Sequence, residues 1–148
     1  MNKASGGAKA PASYWVVAVL SLVWNGFGGF DYWMSRTRNV EYLSQMGDVA
    51  EITAWMDRFP LWAQVGYGLG IWGSVGGSVL LLMRSRHAAS AFLVSLVGAV
   101  VSFTGQWMNP VPSSLDTAAG KFMPFVVLAV IVFLWRFSTR EAAKGTLR

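Results

Sequence analysis

Gly68-Leu69-Gly70-Ile71-Trp72-Gly73 has the G-x-G-x-x-G spacing with which a strand-to-helix turn offers free backbone amides to a pyrophosphate. That chemistry needs a strand before the glycines and a helix that starts among them. Here the six residues lie inside the apolar stretch Leu61–Met83, with no polar turn on either side. A helix running through them commits every amide to its own carbonyl ladder, so the motif reads as a helix-packing face. Other chemistry is equally short of parts. His87 is the only histidine and sits in a basic turn with Arg84 and Arg86, without a nucleophile or carboxylate beside it. No His, Asp or Glu grouping has metal-ligand spacing. The chain has no cysteine, which excludes disulfides, thiolate metal sites and thiol nucleophiles. The expectation is a non-enzymatic protein with no catalytic residue, cofactor or metal.

The remaining candidates are polar and aromatic side chains within apolar stretches. Asn25 is near the middle of one and must find a hydrogen-bond partner, since an unpaired buried amide costs about 1–3 kcal/mol. Trp24 and Trp72 lie deeper than the boundary tryptophans, and Gln106 sits toward an outer end. Trp24, Asn25, Trp72 and Gln106 therefore form the candidate intramembrane polar or cavity site. Asp31 closes the first stretch, at a depth where it is expected to face external solvent.

These residues sit on four apolar stretches, roughly Tyr14–Phe30, Leu61–Met83, Ala88–Met108 and Phe122–Phe137. A hydrocarbon core about 30 Å thick needs about 20 helical residues. With flanking residues recruited, the spans become about 14–34, 61–83, 88–108 and 118–137. Lipid cannot satisfy a bare backbone, so each must be a helix. The fold expected is an all-α membrane protein whose four transmembrane helices form two antiparallel hairpins. Residues 13–138 make a single membrane domain between a disordered tail, 1–12, and a basic tail, 139–148. No small-residue cleavage site closes the first stretch, so it reads as a retained span. Between the first two spans, Val40, Leu43, Met46, Val49, Ile52, Trp55, Met56 and Phe59 recur at three- to four-residue steps. That pattern predicts an amphipathic helix over about 40–59, lying in the outer interface or closing over an opening as a lid.

Charge sets the orientation. Hydrophobic residues make up 54% and charged ones 13%, with a formal net charge of +5. The charges gather at the ends of the spans and form no stripe, so nucleic acid is not an expected partner. If the spans alternate, Lys3, Lys9, Arg84, Arg86, Arg136, Arg140, Lys144 and Arg148 share one side, and Arg36, Arg38, Arg58 and Lys121 the other. The positive-inside rule then places both termini in the cytoplasm.

The second span carries the strongest packing signal. Gly66, Gly70, Ser74 and Ser78 stand four residues apart, with Gly73 and Gly77 beside them. The third span answers with Ala91, Ser95 and Ala99. Small residues let helix backbones approach in lipid, so Gly66, Gly70, Gly73, Ser74, Gly77, Ser95 and Ala99 form the expected helix-packing site. The connection Arg84–His87 is short enough to make these two helices neighbours. The fourth span is nearly all Val, Leu, Ile and Phe and reads as the most lipid-exposed.

Leu22-Val-Trp-Asn-Gly-Phe-Gly, Tyr42, Pro60-Leu-Trp62, Gly73-Ser-Val-Gly-Gly, Leu80-Leu-Leu-Met-Arg84 and Ser95-Leu together resemble a family of small, largely uncharacterised bacterial four-span inner-membrane proteins, some loosely labelled sugar transporter. The resemblance covers roughly Val16–Phe103 and carries over no substrate residue. It implies a multi-pass protein of the bacterial inner membrane. Beside the lipid bilayer, the partners expected are further copies of the chain or another membrane protein. The function expected is that of an accessory or scaffold subunit acting through helix–helix contacts. The alternative is a small oligomeric transporter or facilitator of a small polar solute.

Overall fold

Helices account for all the regular structure in the computed structural model, which describes residues 7–148. They are α1 (Ala12–Arg36), α2 (Val40–Ser44), α3 (Val49–Asp57), α4 (Leu61–Leu82), α5 (Ala88–Trp107) and α6 (Ala118–Ala143), with no strand among the described residues. α1, α4, α5 and α6 are each long and apolar enough to cross a membrane.

Local chemistry sets the boundaries. α1 and α4 start directly after Pro11 and Pro60. Proline's fixed φ suits the helix entrance, and its missing N–H is no loss there. Asn39, Asp48 and Thr117 cap α2, α3 and α6, each side chain accepting from a backbone N–H three residues on, at 2.9–3.0 Å. Three of the long helices end alike, with a left-handed residue just past the C-cap: Arg38 (φ 52°), Arg84 (φ 56°) and Gly145 (φ 77°). In each, the next amide reaches back to close the last turn: Asn39 to Met34 O, Ser85 to Leu80 O and Thr146 to Glu141 O, at 2.8–3.1 Å. Glycine accepts that conformation freely, whereas a side-chain-bearing residue is disfavoured there by roughly 1–2 kcal/mol.

α4 and α5 form the centre, with α1 against the outer face of α4 and α6 against α5. The α4–α5 seam is where backbones come closest. A Cβ added at Gly66 would fall 2.9 Å from Gly98 O, one at Gly70 would fall 3.1 Å from Ala99 N, and one at Gly73 would fall 3.0 Å from Ser95 N. Next along, Gly77 leaves room for the Phe92 ring. Residue numbers fall on one helix as they rise on the other, so the pairing is antiparallel. Ser95 Oγ adds a hydrogen bond to Gly70 O at 2.5 Å across the seam. The α1–α4 seam runs the same way, from Tyr14, whose hydroxyl donates to Leu81 O, to Arg36, which reaches Gln64. α6 is the least packed long helix: 11% of its span is buried, against 28–39% for the others.

At the end of the bundle that holds both termini, Tyr14, Ala18, Leu81, Ala88, Phe92, Leu134 and Leu147 form one buried cluster. Parts of both segments expected as tails are in contact with the bundle here. Residues 1–6 lie outside the described residues. At 7–11, the backbone is tied to the bundle where Arg84 Nη2 donates to Ala8 O at 2.6 Å. The stretch 139–148 continues α6 to Ala143 and then turns inward at Gly145, burying Thr146 and Leu147. Its last residue pairs with the α4–α5 turn, through Arg86 N to Arg148 O at 2.9 Å and Arg148 N to Arg84 O at 2.8 Å. A basic composition predicts solvation, but backbone pairing and two buried side chains hold this segment in place.

The loop end also differs. The single helix expected over 40–59 is two helices, broken at Gln45–Asp48. Asp48 turns its side chain to cap α3, and Gly47 sits so close to Ser114 that a Cβ there would fall 2.8 Å from the serine Cβ. Ser114 Oγ in turn donates to Glu51 at 3.1 Å, joining this segment to the α5–α6 connection.

The seam makes a direct prediction. A Cβ at Gly98 would fall 2.6 Å from Gly70 N and 2.7 Å from Gly66 O, and neither backbone atom can rotate away. Gly98→Ala should therefore destabilise the protein by about 1–3 kcal/mol, the usual cost of overpacking. A Cβ at Gly76 would meet nothing within 4 Å, so Gly76→Ala should be neutral or stabilising. Thermal denaturation of both variants in mild detergent checks this; equal behaviour would mean the two helices are not held by close approach.

Candidate functional site

Helical rotation of about 100° per residue separates the expected site residues. Asn25 faces α4 and is buried, its Nδ2 donating to Ser78 Oγ at 2.8 Å, while Ser78 Oγ donates to Ser74 O at 3.0 Å. Trp24, its neighbour, points away and is 41% exposed. Trp72 lies over Gly29 of α1 and meets the Tyr32 ring edge-on with centroids 5.8 Å apart. Gln106 bonds only within α5, to Ser102 Oγ at 3.5 Å. The four side chains do not converge. Shallow depressions on the surface include two away from these side chains. One is an apolar groove on α1 along Leu22, Val23, Gly26, Phe27 and Phe30, about 370 Å³. The other, about 480 Å³, lies between α3 and residues 110–113. Neither includes Trp24, Asn25, Trp72 or Gln106.

The structure instead gathers polar groups around Asp31. The residue is partly buried, not turned to solvent as its place at the end of the apolar stretch had suggested. Its Oδ1 accepts from the Tyr42 hydroxyl of α2 at 2.7 Å, and its Oδ2 accepts from the Tyr67 hydroxyl of α4 at 3.2 Å. Tyr67 is six residues into α4, so its Cα lies about 9 Å inside the loop end of that helix. Aromatic rings close the surroundings. Tyr32 packs on Tyr67 with centroids 4.8 Å apart, and Phe30 meets Tyr42 edge-on at 5.7 Å. The Tyr32 hydroxyl occupies the space over Gly68, where a Cβ would fall 3.3 Å from it. Arg36, the nearest guanidinium along α1, is engaged elsewhere, donating to Gln64 Oε1 at 3.0 Å. Arg38 pairs with Asp57 of α3. Burial, aided by the bond to Asp31, pushes the Tyr42 hydroxyl up to about 12, so it stays a donor at ordinary pH.

Gly68–Gly73, the stretch with dinucleotide spacing, is continuous helix inside α4, with its amides committed to the helix. Among the described residues, no three His, Cys, Asp or Glu side chains converge to hold a metal ion. Sequence reasoning did not connect Tyr42 and Tyr67 with Asp31. The available signal was an acid at the end of a span with tyrosines near the same expected depth on two following elements.

No protein-family model matches the chain, and neither a curated protein nor a solved structure is similar to it.

The buried amide offers a clean test. A double-mutant cycle on Asn25→Ala and Ser78→Ala, read by unfolding in detergent, should give a coupling of about 0.6–1.7 kcal/mol, the range for interhelical hydrogen bonds in lipid. Additive losses would mean that Asn25 acts by volume alone.

Proposed function

We propose that this protein is a non-enzymatic, multi-pass protein of the bacterial inner membrane that serves as an accessory or scaffold subunit through helix–helix contacts. Its four spans are arranged as two antiparallel hairpins with both termini cytoplasmic, and α2 and α3 lie in the outer interface. The observation that carries this is Gly26. The glycines on the α4–α5 seam are in contact inside the chain, but nothing lies within 4 Å of a Cβ at Gly26. It forms the floor of the apolar groove flanked by Leu22, Val23, Phe27 and Phe30. A small residue between larger ones, at mid-helix, is the surface form that lets a second helix approach closely in lipid. A second copy of the chain is the occupant proposed.

The absence of cysteine makes the test simple. Val23→Cys should form a disulfide-linked dimer in native membranes, and Gly26→Leu should abolish it. Val132→Cys, 40% exposed on α6, should not cross-link. Equal cross-linking at both positions, or none at Val23, would count against the groove as a contact. For orientation, Lys9→Cys should resist an impermeant thiol reagent in intact cells while Ser44→Cys labels; the reverse pattern would invert the protein in the membrane.

A second function, that of a small oligomeric carrier for a polar solute, is favoured by Asp31. An ionisable side chain inside a span, facing other helices, is a functional candidate by default.

A further inference from the structure

We propose that the end of the bundle holding both termini is a binding surface for anionic phospholipid, with Arg86, Arg136 and Arg140 supplying the charge that receives the headgroup. The inference depends on neither the partner nor the orientation proposed above. It needs only that the four long helices cross a membrane.

Three observations lead to it. First, the two ends of the molecule differ in how their charges are matched. At the loop end Arg38 pairs with Asp57 and Lys121 with Asp116, and Glu41, Asp48 and Glu51 add further acid. At the opposite end Glu141 is the one acidic side chain, and it is buried in its pair with Lys144. Residues 1–6 contain no Asp or Glu, so no side chain of that segment completes the match. Arg84 places its guanidinium on backbone carbonyls. Arg86, Arg136 and Arg140 are exposed and pair with no acid among the described residues. The buried polar groups at this end are matched; its exposed cations are not.

Second, the fold gathers this charge. The inward turn that buries Leu147 lays Arg148 against the α4–α5 connection, bonded to the backbone of Arg84 and of Arg86. On α6, Arg136 and Arg140 stand one turn apart, about 6 Å along the axis, on an exposed face away from the buried Leu134 and Ser138. Like charges drawn together repel, and an anion held among them removes that repulsion.

Third, depth selects the anion. Trp135 directly precedes Arg136, and indole rings favour the headgroup level. Arg86 lies four residues past Leu82, the last residue of α4. α6 is also the least packed span, so lipid flanks it. A lipid phosphate meets these side chains without the loss of translational freedom that a soluble anion incurs. Guanidinium takes phosphate oxygens through two parallel hydrogen bonds. A zwitterionic headgroup carries its own ammonium beside the phosphate, so the net attraction goes to lipids of net negative charge.

The experiment uses the full chain in phosphatidylcholine vesicles and compares spin-labelled phosphatidylglycerol with spin-labelled phosphatidylcholine. The fraction of each label immobilised at the protein gives their relative association. The wild type should favour phosphatidylglycerol about fivefold or more, the change that one cation beside an anionic headgroup makes at about 1 kcal/mol. Arg86→Gln, Arg136→Gln and Arg140→Gln combined should remove most of the preference, and Arg58→Gln at the loop end should keep it. Inorganic phosphate, added at fixed ionic strength, should leave it unchanged. Equal association of the two lipids with the wild type overturns the idea and leaves the surface to an acidic protein. Loss of the preference on adding inorganic phosphate overturns lipid as the source of the anion, and an undiminished preference in the combined variant overturns the residues named. Should that variant denature early in phosphatidylcholine alone, Arg140→Gln takes its place, with a lowered preference expected and an unchanged one overturning the idea.

Discussion

The approach of two backbones at Gly98 governs the rest of the bundle. Lipid tails are as apolar as the side chains they meet, so burial alone gives membrane helices little reason to associate. What holds α4 to α5 is dispersion summed over many close contacts, and its reach is short. Gly66 and Gly98, then Gly70 and Ala99, then Gly73 and Ser95 keep the helices near one another, and Phe92 fills the space at Gly77 where they would otherwise part. With that pair fixed, the opposite face of α4 presents Tyr67, Ile71, Val75 and Ser78 to α1. Along Val126–Trp135, α6 has only Ala129 as a small residue to offer a neighbour. It stays at the periphery against α5 and reaches the buried cluster through Leu134, with Leu147 following in the inward turn.

The four long helices are legible in the sequence because hydropathy and length are properties of single segments. The small-residue rows of α4 and α5 are legible too, since four-residue spacing alone puts Gly66, Gly70 and Ser74 on one stripe. The break between α2 and α3 is not. Apolar periodicity runs through Met46 and Val49 undisturbed and masks a local stop, Gly47 followed by Asp48 as the cap of α3; the contact of Gly47 with Ser114, 67 residues away, is visible only in the fold. The C-terminal segment misleads for a related reason: its basic composition describes its side chains, while its backbone amides and carbonyls do the binding.

The candidate site shows the same limit more sharply. Depth in the membrane can be counted along one helix, which is how Trp24, Asn25, Trp72 and Gln106 came to be grouped. Direction around the helix depends on which neighbour is present. Asn25 finds Ser78 while Trp24, one residue away, faces outward. For Asp31 the deciding partners are 11 and 36 residues off on different elements, and no local pattern encodes that meeting.

The two ends of the molecule treat buried polar groups differently. At the end with the termini, Glu141 is buried but paired with Lys144 at 2.8 Å. Arg84, partly buried, places its guanidinium on the Ala8 and Thr146 carbonyls at 2.6 and 3.0 Å. Polar groups there are matched. At the loop end, the partners of Asp31 among the described residues are phenols, and Arg36, five residues on along the same helix, bonds Gln64. An asparagine at 31 could still accept from one tyrosine at its amide oxygen, with no charge held inside the bundle. A carboxylate accepts from both tyrosines, and so joins α1 to α2 and to α4 through one side chain.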